Sequence, residues 1–308
     1  MELLKNIEKR LIEELNPKVK LVLETSRYLI EGGGKRLRPL ITVLSCGMCG
    51  GNPEEAIPLG VGLEYIHAAS LLHDDVVDGA SKRRGKSSAN VIFGNGTAVL
   101  TGDYMYAKAL HLFTRYGTKE MIEVVSEAVM EMAEAQVLEI SKVGELISEE
   151  DYFRIIDGKT AVLFSACTTV GALCANYRYP EQIKKIGYHM GRAFQLIDDL
   201  LDYTGDPQKT GKPVANDLKE GKATYPLLCV INQMNKEKVK KILSDPNPPS
   251  EEIDNLRKEV LRLGGANKTR EKARTEAERA YEILKRLDHT HYREEMERIL
   301  EFIVFREL

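Results

Sequence analysis

Two short runs of acid are the residues best placed to do chemistry: Asp74-Asp75-Val76-Val77-Asp78 and Asp198-Asp199-Leu200-Leu201-Asp202. The first follows the apolar run Leu63 to Leu72 and the second follows Phe194-Gln195-Leu196-Ile197. On a helix, the first and last acids of each run are i and i+4, on one face and roughly 6 Å apart between β-carbons. Like charges at that spacing repel, and burying an unpaired charge is expensive; a bound divalent cation removes the difficulty. A single acidic triplet reads as a solvated helix end. Two of identical spacing, each on an apolar helix and each followed by a basic loop, argue against coincidence. Facing one another, they would present hard oxygen ligands suited to Mg²⁺, which keeps several waters and readily shares phosphate oxygens.

The basic residues supply the other half. Lys82-Arg83-Arg84 follows the first triplet, Lys209, Lys212 and Lys222 follow the second, and Gly33-Gly34-Lys35-Arg36-Leu37-Arg38-Pro39 adds a third group. Guanidinium forks and ammonium points beside Mg²⁺ are what a diphosphate demands.

Helices must position these groups. Apolar residues recur at three- and four-residue intervals, as in Ile122, Val125, Val129, Met132, Gln136 and Ile140, and sustained period-two alternation is absent. The expected fold class is all-α, with about ten helices separated at Gly32-Gly33-Gly34, Gly50 to Pro53, Gly94-Asn95-Gly96, Tyr179-Pro180, Gly205-Asp206-Pro207, Asp245 to Pro249 and Gly264-Gly265. Asn95-Gly96 reads as a loop rather than a hairpin. Length leaves one or two domains open. Among 308 residues, 43% are apolar and 30% charged, and the net charge of −3 gives no reason to expect nucleic acid. No apolar run reaches about 18 residues and the first fifteen residues carry acids and bases throughout, so the expected place is the cytoplasm, with no transmembrane segment. The five cysteines suit reduced, buried thiols better than a disulfide framework, and the lone C-x-x-C of Cys46 and Cys49 lacks a second pair at zinc spacing.

From about Glu31 to Leu228 the chain resembles the trans-isoprenyl (polyprenyl) diphosphate synthases. The shared motifs are GGGKRLRP, HAASLLHDDVVDGASKRRG, the Lys159-Thr160 pair, FQLIDDLLD and TGKPVANDLKEGKAT, in the family's order. The resemblance implies one domain over residues 1–308, a single large helical bundle around a central deep cavity, working as a homodimer. It implies isopentenyl diphosphate and an allylic diphosphate as substrates and Mg²⁺ as cofactor, three ions per active site with substrate bound.

By the same resemblance Asp74, Asp78 and Asp198 match direct Mg²⁺ ligands, and Asp75, Asp199 and Asp202 match partners that hold water or orient the site. Arg83, Lys159 and Lys212 match residues gripping the allylic diphosphate. Lys35, Arg38, His67 and Arg84 match the isopentenyl diphosphate pocket, and Lys222 a basic residue of the closing loop. Gln195 and Thr160 match groups that steady the allylic cation. Product length should depend on Ile66, Ala69 and Ser70, one and two turns before Asp74. In the family an aromatic side chain at the place of Ala69 or Ser70 stops growth early, so small residues there imply a product of C25 to C40, with a geranylgeranyl or farnesyl product as the alternative. The segment Ala135 to Glu139 leans towards short-chain members. A class I terpene cyclase would share the ionising helix but would lack the set Lys35, Arg38 and His67 and a second full triplet. A P-loop at Gly205 to Pro213 fails, because it has one residue too many between its glycines and a proline where Ser or Thr should hold Mg²⁺. Silent partner subunits usually lose one triplet or the basic residues, and this chain keeps both.

Overall fold

The structure is a computed structural model that describes residues 2–205 and 214–305. Its described residues are overwhelmingly helical, and the one sheet is a hairpin of two-residue strands, Lys82–Arg83 and Lys86–Ser87. The all-α expectation holds. The chain's own contacts divide it into two compact units, one of residues 1–129, 166–184 and 288–296, the other of 130–165, 185–287 and 297–308.

In the first unit the organising element is the helix Pro53–Val77. Asn52 caps its start, accepting from the Glu54 amide at 3.2 Å, with Pro53 at the first helical position and Glu54 and Glu55 in the first turn. All three features favour a helix N-terminus. This helix is apolar on every side because it is enclosed, packing against Glu2–Glu13, Leu37–Met48 and Asn95–Tyr116. Two glycines set its approach to Asn95–Tyr116. A β-carbon on Gly62 would come within 2.9 Å of the Phe113 ring, and one on Gly102 within 2.3 Å of His73. Gly62, Ile66, Ala69 and His73 therefore form one stripe along that neighbour, with Ile66 and Ala69 fully buried in it.

The helix stops at a left-handed glycine. Gly79 has φ 61°, and the Ala80 amide donates back to the Asp75 carbonyl at 2.9 Å, a six-to-one closure that only a residue tolerating positive φ completes cheaply. The hairpin beyond turns through Arg84 and Gly85, with φ 51° and 77°. Sequence periodicity missed it because two-residue strands are too short to show alternation. Asn95-Gly96 also differs from its expected loop. The break is Gly94 alone, at φ 84°, and Asn95 already begins the helix Asn95–Tyr116.

The second unit is built around the C-terminal part of the helix Pro180–Thr204. Its core gathers Tyr152, Leu196, Leu200, Tyr203, Leu227 and Val260. Between the helix Glu149–Ile156 and the helix Val162–Cys174 the chain makes one π turn, Asp157–Ala161, in which the Val162 amide donates to the Asp157 carbonyl. Such turns cluster at functional positions. All five cysteines are free thiols, and no described helix is long and apolar enough to cross a membrane.

Candidate active site

The first triplet occupies the last turn of Pro53–Val77, with Asp78 as its C-cap. That is the wrong end of a helix for carboxylates, since the exposed carbonyls already present partial negative charge. Asp75 is buried and solves the problem internally. The Arg83 guanidinium grips it from the hairpin, Nε lying 2.9 and 3.0 Å from the two carboxylate oxygens and Nη2 2.8 Å from Oδ1. Asn90 donates to the Asp75 carbonyl at 3.1 Å and thereby anchors the next short helix. Asp74 is half-buried and Asp78 exposed.

Beside them lies a cationic pocket. Gly33 and Gly34, at φ 97° and 156°, bring the backbone into a turn that places Arg36 at φ 49° before the helix Leu37–Met48. Arg36 is buried, paired to Glu64 at 3.1 Å and donating to the Ile30 carbonyl. Gly34 approaches both Arg36 and Arg84 so closely that a β-carbon there would stand 3.0 and 3.2 Å from their guanidinium nitrogens. His67 is driven well below its ordinary pKa, first by burial and then by Arg38, Arg84, Arg83 and Arg36, so it stands as a neutral imidazole. Burial also lowers Arg84, with Arg36 and Arg83 adding repulsion. Four guanidinium groups act on one imidazole, and with Arg36 paired to Glu64 and Arg83 to Asp75 the repulsion left over is one that an anion relieves. Lys35 is exposed at the same loop.

The second triplet lies on Pro180–Thr204 and is handled differently. Asp199 is buried, accepting from Tyr152 Oη at 2.6 Å and from Gln195 Nε2 at 2.8 Å. Burial pushes its carboxyl up to about 7; the two hydrogen bonds oppose that shift, and the like charges of Asp198 and Asp202 add to it. A cation held by the neighbouring acids would restore the carboxylate. Asp202 accepts the backbone amides of Asn216 and Asp217 at 3.0 and 3.1 Å, and Asp198 is exposed.

The π turn brings Lys159 and Thr160 to this triplet. Thr160 donates to Gln195 Oε1 at 2.8 Å, so a continuous chain of bonds runs Thr160, Gln195, Asp199, Tyr152. Lys159 pairs with Glu139 at 2.5 Å. Glu139, Tyr152, Lys159, Gln195, Asp199 and Asp217 line a cavity of about 190 Å³ within the second unit, and Lys222 borders it too. Burial and the nearby Asp202 and Asp199 push Asp217 well above the usual carboxylate range, while Lys222 draws it back. Lys212 lies outside the described residues.

Sequence reasoning passed over Glu139, Tyr152, Asp217, and the Arg36–Glu64 pair as site members. Glu64 carried a signal, being an acid inside the apolar run GLEYIHAAS, where burial requires a partner. Tyr152 carried none.

The donor set fits a divalent metal of the hard type. Among the described residues no three His, Cys, Asp or Glu side chains form a protein-only cage. In each triplet the middle acid is buried and one outer acid, Asp78 or Asp198, is exposed, and Mg²⁺ takes one or two carboxylates with water and phosphate oxygens completing its shell.

A helical protein with paired acidic triplets and a guanidinium pocket belongs to a class that handles diphosphates, and comparison with known proteins identifies the family. Residues 19–260 match polyprenyl synthetase, and the chain belongs to that family. It is a prenyltransferase. It is 38% identical over 289 residues to the octaprenyl diphosphate synthase of Escherichia coli K12, covering 92% of this chain and 90% of that protein. Identity to the geranylfarnesyl diphosphate synthase of Aeropyrum pernix is 32% over 302 residues, covering 91% and 93%. A polyprenyl synthase from Caulobacter crescentus CB15, solved with calcium and isoprenyl diphosphate, superimposes with a TM-score of 0.94 at 32% identity, over 99% of this chain and 95% of that one.

Proposed function

We propose that residues 1–308 act as one catalytic domain that condenses isopentenyl diphosphate head-to-tail (1′-4) with an allylic diphosphate, giving an all-trans polyprenyl diphosphate of C25 to C40. The observation carrying this reading is that each triplet buries its middle acid against protein donors while Asp78 and Asp198 stand exposed beside it. Asp74, Asp78 and Asp198 hold the metal, and Asp75, Asp199 and Asp202 support them. Bound Mg²⁺, three ions per site, supplies Lewis acidity that offsets the charge developing on the departing diphosphate.

This chain's own groups do the rest. Arg83, Lys159, Lys212 and Lys222 bind the allylic diphosphate, and the first of these also keeps Asp75 in place. Lys35, Arg38, Arg84 and neutral His67 bind isopentenyl diphosphate, His67 as a hydrogen-bonding partner without charge. Gln195 and Thr160, already linked to each other, offer their oxygens to the allylic cation once the C–O bond ionises. The isopentenyl double bond attacks C1 of that cation, and the released diphosphate takes the departing proton.

Product length rests on Ile66, Ala69 and Ser70. Ala69 is small and lies on the stripe facing Asn95–Tyr116, where a phenylalanine would intrude. Mass analysis of products from labelled isopentenyl diphosphate tests the reading: C25 to C40 chains are expected, and Ala69→Phe should shorten them. An unchanged product from that variant would refute the role of Ala69. A geranylgeranyl or farnesyl product from the unaltered chain would support the short-chain reading, which the Ala135 to Glu139 segment favours. Homodimerisation is supported by Leu100 and Leu110, exposed on one helix, and light scattering checks it. The five free thiols suit the cytoplasm.

A further inference from the structure

The second unit contains an ionic cluster that the proposed chemistry does not use. Asp157 opens the π turn, and its carboxylate is held by Arg192 through two bonds of 2.6 Å, from Nε to Oδ1 and from Nη2 to Oδ2. Tyr188 adds a third, donating to Oδ2 at 2.8 Å. The Arg192 guanidinium lies 4.7 Å from the Phe153 ring centroid and 4.6 Å from that of Tyr188. Glu276 stands behind it at 3.8 Å, fully buried, itself held by His189 at 2.8 Å and Arg279 at 3.0 Å.

Two facts give the cluster a direction. First, the same Asp157 whose side chain is clamped also accepts, through its carbonyl, the Val162 amide that defines the π turn. Second, the turn meets Pro180–Thr204 through two links spaced alike, Asp157 to Arg192 and Thr160 to Gln195, each three residues on from the other. Close packing completes the joint, since a β-carbon on Gly191 would stand 2.5 Å from the Ala161 α-carbon. A π turn is an unfavourable local conformation that persists where its surroundings over-determine it. The charges also balance, Asp157 and Glu276 against Arg192 and Arg279, so the cluster does not call for a ligand. A half-buried pair contributes little net stability, but a bidentate fork fixes orientation.

We propose that the Arg192–Asp157 clamp, braced by Glu276 and Tyr188, is a positioning device that holds the π turn so that Lys159 and Thr160 meet the allylic diphosphate. This rests on the allylic role given to Lys159 and Thr160 above. The test uses the full chain with Arg192→Lys, which keeps the charge but loses the fork, and Asp157→Asn, which keeps the shape. The KM for the allylic diphosphate should rise about tenfold, a modest share of what small misplacements cost, while that for isopentenyl diphosphate stays within about twofold. Hydrogen exchange without substrate should show the amides of residues 158–162 opening faster, with those of the Tyr225–Leu228 helix unchanged. Tyr188→Phe, which removes a single bond, is the milder variant should the others fold poorly, and it should shift both readouts the same way by less. Equal rises in both KM values, a lower melting temperature with both constants held, or unchanged exchange in 158–162 would each overturn the proposal. Should the unaltered chain fail to join the two diphosphates, the functional reading fails, and the exchange experiment alone decides the clamp.

Discussion

The two acidic triplets share one spacing and bury the same member, yet they compensate it by different physics. Asp75 is matched by a full opposite charge, the bidentate Arg83, reaching back from a hairpin eight residues on. Asp199 is matched by neutral donors, Tyr152 and Gln195, and burial leaves its carboxyl titrating near neutrality. A charged partner holds an acid ionised whatever else is bound, whereas neutral donors leave its state to the neighbouring charges. Asp199 is thus the buried acid whose charge answers to its neighbours. The surroundings agree with this. The first triplet lies beside four guanidinium groups, while the second shares its cavity with Glu139 and Asp217 as well as Lys159 and Lys222.

The harshest way to break the comparison is to remove an outer acid from either triplet. Asp74→Ala and Asp198→Ala should each cut turnover by about a hundredfold or more, of the size seen when one electrostatic stabiliser is lost, and thermal melting should barely move. Near-normal rates for either in excess Mg²⁺ would show that the two triplets are not both needed. Next in size is the loss of the charged partner. Arg83→Met leaves Asp75 buried and unpaired, at a cost of about 3 kcal/mol, the low end for a broken buried pair because Arg83 is partly exposed. Urea unfolding measures it. Tyr152→Phe deletes a neutral donor and should cost less, about 1–2 kcal/mol. If the two variants were equally destabilised, the distinction between charged and neutral compensation would be lost. The smallest effect is on the pocket of guanidinium groups. Inorganic diphosphate without metal should raise the melting temperature by a few degrees at about 100 times its Kd, through the linkage that stabilises any ligand-bound native state. Arg84→Gln should weaken that shift, and no shift at all would mean the repulsion around His67 is not relieved by an anion.

Much of this was legible beforehand. The helical class follows from the three- and four-residue spacing of apolar side chains, which is local information. The helix ends at Gly50 to Pro53, Tyr179-Pro180 and Gly264-Gly265 were readable because proline and glycine restrict or free the backbone wherever they stand. What escaped was short or distant. The hairpin at Lys82 to Ser87 has too few residues for a period, and the π turn differs from an α turn by one hydrogen bond.

By itself, then, the sequence determined that six aspartates would sit on two helices at i, i+1 and i+4 beside cationic loops, because spacing along a helix is set by backbone geometry alone. Which aspartate of each triplet would be buried, and whether arginine, tyrosine or glutamine would answer it, was decided only by the tertiary structure. Tyr152 lies 47 residues from Asp199 and Glu64 lies 28 from Arg36. Desolvation acts through space, and only packing determines which groups lose their water together.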